Sequence, residues 1–214
     1  MARLNAPPRW LKPLVHVALA LPLLWLGYGW ATVLWLDRGS LLLSAEPVAY
    51  THNLLGLWAL RALMLTLAVT PVRRVTGWVP VMALRRMLGL WAFAYALCHL
   101  LFFMALELDW SLALLWREAM KRNFILAGLV AFLSLLPLAL TSTRAAIRRL
   151  GGRRWQRLHR LAYLAGMAAV LHFIFRVKGF QWEPWVWLGL LLALFLIRLW
   201  PRRKSASRAA SLPA

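Results

Sequence analysis

Long apolar runs separated by short charged loops set the rhythm of this chain. The runs cover 13–36, 48–72, 87–106, 123–143, 161–175 and 184–197. A helix rising 1.5 Å per residue needs about 20 apolar residues to cross roughly 30 Å of hydrocarbon. Each run is therefore expected to be one spanning helix, the last two reaching full length with flanking residues such as Trp155, Phe180, Trp182 and Trp200. The expected fold is an all-α integral membrane protein, a six-helix transmembrane bundle. Composition agrees, with 63% hydrophobic residues and a mean hydropathy of +0.67. The 14 tryptophans gather largely toward the ends of the runs, where amphipathic rings sit at lipid headgroups. Residues 1–12 are expected to be an N-terminal cytoplasmic segment, 13–200 the six-helix domain, and 201–214 a disordered cytoplasmic tail. The first run, about 24 residues long and followed by Asp37-Arg38-Gly39-Ser40, lacks the cleavage site of a signal peptide and is expected to be retained.

The net charge of +20 points toward nucleic acid until its distribution is considered. All six acids fall in three alternate loops: Asp37 and Glu46, then Glu107, Asp109 and Glu118, then Glu183. The other face has 19 bases and no acid, including seven arginines between Arg144 and Arg160. Short loops divided in this way follow the positive-inside rule, which places both termini in the cytoplasm and the acid-bearing loops outside. Nucleic acid is not an expected partner. The arginine run reads as topology and phospholipid contact, and as a lesser candidate for docking an anionic flavin.

Candidate chemistry rests on histidines. Ionisable side chains inside a span are costly and mark function by default, and neutral imidazoles among apolar helices suggest haem iron ligands. His99 lies 13 residues after Arg86, and His172 lies 12 after Arg160, which places them about 20 and 18 Å from the basic edge. Matching depth on spans three and five is what a bis-histidine b-type haem requires. His159, 13 residues before His172 on the same expected helix, stands roughly 19 Å nearer the basic edge and marks a possible second centre. At 100° per residue the two rings point to different sides unless the helix bends, with Gly166 the candidate position. His16 has suitable depth to accompany His159. His52, at the acid-bearing start of span two, reads as an ordinary solvated histidine. Arg61 is the one charge within the second run and a candidate partner for a haem propionate.

The single cysteine, Cys98, allows no intrachain disulfide, and without C-x-x-C-H any haem is held noncovalently. No G-x-G-x-x-G, H-E-x-x-H or G-x-S-x-G stands in the chain, and six helices leave no room for a nucleotide-binding domain. Electrons must come from membrane quinol or a separate flavoprotein, and leave toward an outside acceptor. Two other classes compete. A transporter would use the histidines and Arg61 as a proton or substrate path and would be colourless, though no internal repeat or discontinuous helix is evident. A simple membrane anchor would tolerate loss of all three histidines.

Several stretches carry a family resemblance. Arg85-Arg86-Met87-Leu88-Gly89-Leu90-Trp91 leading to Cys98-His99-Leu100, the LTLAVTPVRR segment from Leu65 to Arg74, and TSTRAAIRRLGGRRWQRLHRLAYL from Thr141 to Leu164 followed by His172 resemble the MsrQ family, formerly YedZ. The likeness covers nearly the whole chain. More distantly, the six-helix pattern is similar to the ferric reductase and NADPH oxidase transmembrane domain, whose third and fifth spans carry the haem ligands. The resemblance implies an electron-transfer subunit binding haem b and FMN. Its electrons would come from the quinone pool and go to MsrP, a soluble periplasmic molybdopterin enzyme that repairs oxidised methionines. A cytoplasmic flavin reductase is an alternative donor. By the same resemblance His99, His159 and His172 are the functional histidines. Arg86 stands where the oxidase relatives have a second span-three histidine, so an inner bis-histidine haem lacks that partner.

Overall fold

The computed structural model describes residues 7–35 and 42–200. Arg3, Asp37, Arg38 and the tail 201–214, which enter the charge pattern and the domain boundaries, lie outside the described residues. The chain forms helices α1 (Leu11–Trp35), α2 (Pro47–Thr76), α3 (Arg85–Glu107), α4 (Leu112–Lys121), α5 (Asn123–Leu140), α6 (Arg144–Leu150), α7 (Gly152–Leu158), α8 (Leu161–Arg176) and α9 (Trp182–Leu199), with a 3-10 helix over Val79–Leu84. No strand occurs among the described residues. Six segments are long and apolar enough to span a membrane: α1, α2, Val79–Glu107, α5, Gly152–Arg176 and α9. The fold is thus the expected six-helix transmembrane bundle.

Packing follows the chemistry of lipid. Hydrocarbon gives helices no hydrophobic reason to associate, so small residues that permit close approach line the interfaces. Ala62, Ala92 and Ala165 are buried between helices, whereas Leu24, Leu34, Leu133 and Leu196 remain exposed for lipid to cover. α2 packs along α3 and α5 along α8, the two closest pairings in the bundle. A third contact set, around Leu67, Val170 and Leu191, joins α2, α8 and α9.

Several boundaries differ from expectation. The fourth span ends at Leu140 rather than at residue 143, because Thr143 leaves the helix to cap α6, its Oγ1 accepting from Ala146 N at 3.1 Å. The basic run 144–160 contains two short helices, α6 and α7, rather than a plain loop. The acid-bearing loop after α3 holds the short helix α4, capped by Ser111 Oγ, which accepts from Leu114 N at 3.2 Å.

The helix carrying His159 and His172 does bend, but not at Gly166. α8 runs unbroken through Gly166, where a Cβ would meet Leu67 Cδ1 at 2.9 Å and Leu191 Cδ1 at 3.4 Å. That glycine admits neighbours and does not kink the chain. The break lies at His159–Arg160, where the hydrogen bonds tighten to i→i+3: Arg160 N donates to Arg157 O at 3.1 Å and Tyr163 N to Arg160 O at 3.0 Å. His159 therefore stands on a turn between α7 and α8, not on the helix of His172.

Prolines lie inside helices at Pro22, Pro71 and Pro137. Pro71 lacks the N–H that would bond the carbonyl of Leu67, four residues earlier, and an unpaired backbone group is costly in a membrane. Arg198, near the end of α9, fills the gap. Its Nη2 donates to Leu67 O at 2.7 Å, and its Nη1 donates to the Tyr163 hydroxyl. Arg74 Nη1 in turn donates to the Ile197 carbonyl at 3.1 Å. These bonds tie α2, α8 and α9 together near their basic ends.

Candidate functional site

Toward the acid-bearing end, three imidazoles meet. His99 on α3 and His172 on α8 lie with ring centroids 6.1 Å apart and planes at 82°, so two helices that belong to different packed pairs each contribute one ring. Two imidazoles that bond one metal from opposite sides at about 2 Å keep a ring separation of roughly 6 Å. His52 on α2 places its ring 5.4 Å from that of His99, edge to face.

Backbone contacts set the chemistry of these rings. His172 Nδ1 donates to the Phe124 carbonyl of α5 at 2.6 Å. A neutral imidazole that gives its proton to a carbonyl through Nδ1 keeps Nε2 unprotonated, the tautomer a metal needs. His99 Nδ1 is buried with no hydrogen-bond partner. A buried unpaired ring nitrogen costs about 1–3 kcal/mol, and it marks a place where a further group completes the site. Gly128 makes room for one ring, since a Cβ there would stand 2.7 Å from His172 Nδ1, whereas a Cβ at Gly56 would meet His99 Cε1 at an ordinary 3.4 Å. Glu107 Oε1 lies 3.2 Å from His52 Nε2 but misaligned for a hydrogen bond. The donor set, the orphaned nitrogen and the ring spacing all fit a bis-histidine haem.

The family model described as ferric reductase like transmembrane component matches residues 55–170, a stretch that includes His99 and His159 and stops two residues short of His172. A protein-methionine-sulfoxide reductase heme-binding subunit MsrQ from Xanthomonas euvesicatoria pv. vesicatoria is 44% identical over 207 residues, 95% of this chain and 94% of its own length. One of the same name from Rhodospirillum rubrum is 42% identical over 199 residues, 92% of each chain. The chain belongs to the MsrQ family.

Its motif segments have a structural meaning in this MsrQ-family bundle. The TST stretch and the WQRLH stretch meet at the basic end: Trp155 Nε1 donates to the Thr141 carbonyl at 3.0 Å, and His159 Nε2 lies 3.4 Å from Thr141 Oγ1. The rings of Trp155 and His159 stack with centroids 3.9 Å apart, one turn apart in sequence. His159 is thus separate from the His99–His172 pair, as the count along the chain anticipates.

His16 is engaged elsewhere. Trp91 Nε1 donates to its Nδ1 at 2.9 Å, so that nitrogen is occupied by an indole of α3, and no ring contact joins His16 to His159 among the described residues. Arg61 stacks over the Trp58 ring of its own helix at 5.0 Å and has no ion-pair partner among the described residues. The structure therefore brings together His99 and His172 of the predicted set and adds His52, Phe124, Gly56 and Gly128. Sequence reasoning sets His52 aside as solvated, yet its side chain is only 17% exposed and faces His99. Its four-residue spacing from Gly56 is the signal that could have placed it on the same helix face.

Proposed function

We propose that this chain is the cytochrome b subunit of a two-component methionine sulfoxide reductase, carrying electrons from membrane quinol to a soluble molybdopterin partner of the MsrP kind. The observation that carries the reading is the approach of His99 and His172 from two separate helix pairs, with rings 6.1 Å apart. Haem iron would supply one-electron transfer in such a protein. His99 and His172 would hold it, with the Phe124 carbonyl fixing the His172 tautomer and the apolar helices keeping water away. Quinol gives up two electrons and two protons in becoming quinone, and reducing a sulfoxide to a thioether and water consumes the same number. The relatives' shared name supports the sulfoxide reductase assignment.

The charge pattern orients the molecule in the bacterial inner membrane, with the basic loops and both termini in the cytoplasm and the imidazole cluster near the outer side. Electrons leaving that cluster reach an outside acceptor with little further travel. Residues 13–200 form the haem-binding domain, flanked by the cytoplasmic segments 1–12 and 201–214. The arginines of α6 and α7 are the candidate contact for FMN phosphate. His159, stacked on Trp155 and without a second histidine, serves as a cofactor contact at the basic end. His159→Ala is expected to leave the spectrum of the outer haem intact and to remove only signals of a second centre, as read from reduced-minus-oxidised spectra. Loss of the outer bands in that variant would contradict its separate role.

Purified protein in proteoliposomes, supplied with a short-chain quinol, tests the electron path. Reduced b-type bands should develop, then fade when an oxidised MsrP-type partner is added outside. Haem that stays ferric with quinol present and reduces with dithionite would exclude quinol as the donor.

A further inference from the structure

α2 carries one charge far from either of its ends, Arg61. It stands 14 residues after Pro47 and 15 before Thr76, about 21 and 22 Å from the two ends of the helix. That is close to the middle of hydrocarbon roughly 30 Å thick, and snorkelling serves side chains near helix ends. The other sides of α2 are taken: Leu60 and Leu67 pack toward α8 and α9, Leu63 toward α3 and α5, and Val69 toward α1 and α3. Arg61 lies on the remaining side with Leu65 and Val72, which are exposed for lipid to cover. Nine residues at 100° each place it opposite His52, whose ring lies against His99. Its guanidinium sits over the Trp58 ring, 5.0 Å from the centroid. Trp58 is stacked on Tyr95 of α3, with centroids 6.1 Å apart and planes at 22°, and Tyr95 is one turn from His99. Other guanidiniums near α2 have oxygen acceptors, Arg198 in the Leu67 carbonyl at 2.7 Å and Arg74 in the Ile197 carbonyl at 3.1 Å. Arg61 has a ring face and, among the described residues, no carboxylate.

We infer that Arg61 and Trp58 form the headgroup site for a membrane quinone on the lipid-facing side of α2, with Arg61 donating to a ring oxygen and Trp58 supplying an aromatic surface. Five N–H donors left facing hydrocarbon are costly, so the position calls for an oxygen that arrives through lipid. Phospholipid phosphates lie in the headgroup layer outside the hydrocarbon, and a soluble anion does not enter it. A quinone is apolar enough to diffuse there. Its ring carries two oxygens that accept hydrogen bonds and a flat face that packs on an indole. Both oxidation states suit the guanidinium fork, since a quinone carbonyl and a quinol hydroxyl each offer lone pairs. A headgroup so placed is separated from His99 by the thickness of α2, about 10 Å, with the stacked Trp58 and Tyr95 leading from one to the other. It reaches the site sideways from the bilayer, without entering the space between His99 and His172.

The site rests on quinol as the electron donor, and reading binding as well as reduction keeps the two apart. Purified holoprotein in phosphatidylcholine vesicles is labelled with a photoreactive short-chain quinone and the modified peptide is mapped. The same vesicles then receive the short-chain quinol, and haem reduction is followed. Wild type should carry the label beside Trp58 and Arg61, and excess unlabelled quinone should remove it. Hydrogen bonds from a charged donor are worth about tenfold or more in affinity. Arg61→Leu should therefore need at least about tenfold more quinone for equal labelling, and as much more quinol for half-maximal haem reduction. Haem per chain and the dithionite-reduced spectrum should stay as in wild type. Should Arg61→Leu fail to fold, Arg61→Gln, which keeps a donor without the charge, decides: labelling weakened severalfold supports the site and wild-type labelling overturns it. Label on another part of the chain, or an Arg61→Leu titration that matches wild type, overturns the inference. Loss of haem in Arg61→Leu overturns it too, by making Arg61 a haem contact, as does a defect confined to vesicles that contain anionic phospholipid, by making a lipid phosphate its partner. Labelling that depends on Arg61 in a protein whose haem quinol does not reduce would keep the site and defeat the donor reading.

Discussion

His99→Ala and His172→Ala are each expected to lower haem bound per chain at least tenfold while leaving the bundle folded. The size follows from what the residues do. Losing a group that merely orients a ligand costs about 10–100-fold in metal affinity, and losing the ligand itself costs no less. The folded state should survive because neither ring belongs to a buried apolar cluster: the contacts of α2, α8 and α9 centre on Leu67, Val170 and Leu191. Removing His99 also removes a buried ring nitrogen that has no partner, which offsets part of the cavity it leaves. The haem-free variants should therefore melt near the haem-free wild type. Pyridine haemochrome quantification and far-ultraviolet circular dichroism give both numbers, and haem retained at wild-type level in either variant would remove that residue from the ligand set.

The second large effect concerns Arg198 and Pro71. Arg198→Leu is expected to destabilise the bundle by about 1–3 kcal/mol, because it leaves the Leu67 carbonyl without a donor at a position where the helix itself offers none. Hydrogen bonds between membrane helices average only about 0.6 kcal/mol, so a cost at the upper end would show that the proline, not the bond alone, sets the value. Pro71→Ala restores an N–H four residues after Leu67. In that background Arg198→Leu should cost at least about 1 kcal/mol less, a coupling beyond the roughly 0.3–0.5 kcal/mol within which independent sites add. Denaturation in mixed micelles, followed by circular dichroism, measures the cycle. Simple additivity would show that Arg198 acts through other contacts, such as its bond to the Tyr163 hydroxyl.

Helix count and the His99–His172 pairing are legible in the sequence for one physical reason. Helical rise is constant, so a count from the basic edge converts directly to depth, and equal depth on spans three and five brings the rings to one height. Direction around each helix is what such a count omits. His16 shows the consequence: its depth suits His159, but it faces Trp91 and its Nδ1 accepts that indole's proton. His52 shows the converse, a residue near the end of a span whose side chain turns inward onto His99.

The break at His159–Arg160 is hidden for a different reason. No proline stands there, and the nearest glycine within the following helix, Gly166, is used for packing against Leu67 and Leu191. Only the contact between Trp155 and Thr141 shows what α7 packs against beside that turn. Likewise, Arg198 reads in sequence as one more base of the basic face, and its duty to the Leu67 carbonyl becomes visible only when α9 is laid beside α2.

The central claim is that haem b is held between α3 and α8 by two imidazoles. The dithionite-reduced minus oxidised absorption spectrum of the detergent-purified wild type, with haem counted per chain, tests it most directly. The account predicts sharp b-type bands from a low-spin, six-coordinate haem, with at least one haem per chain. A colourless protein produced with ample haem supply, or a high-spin spectrum indifferent to loss of His99 and His172, would contradict it.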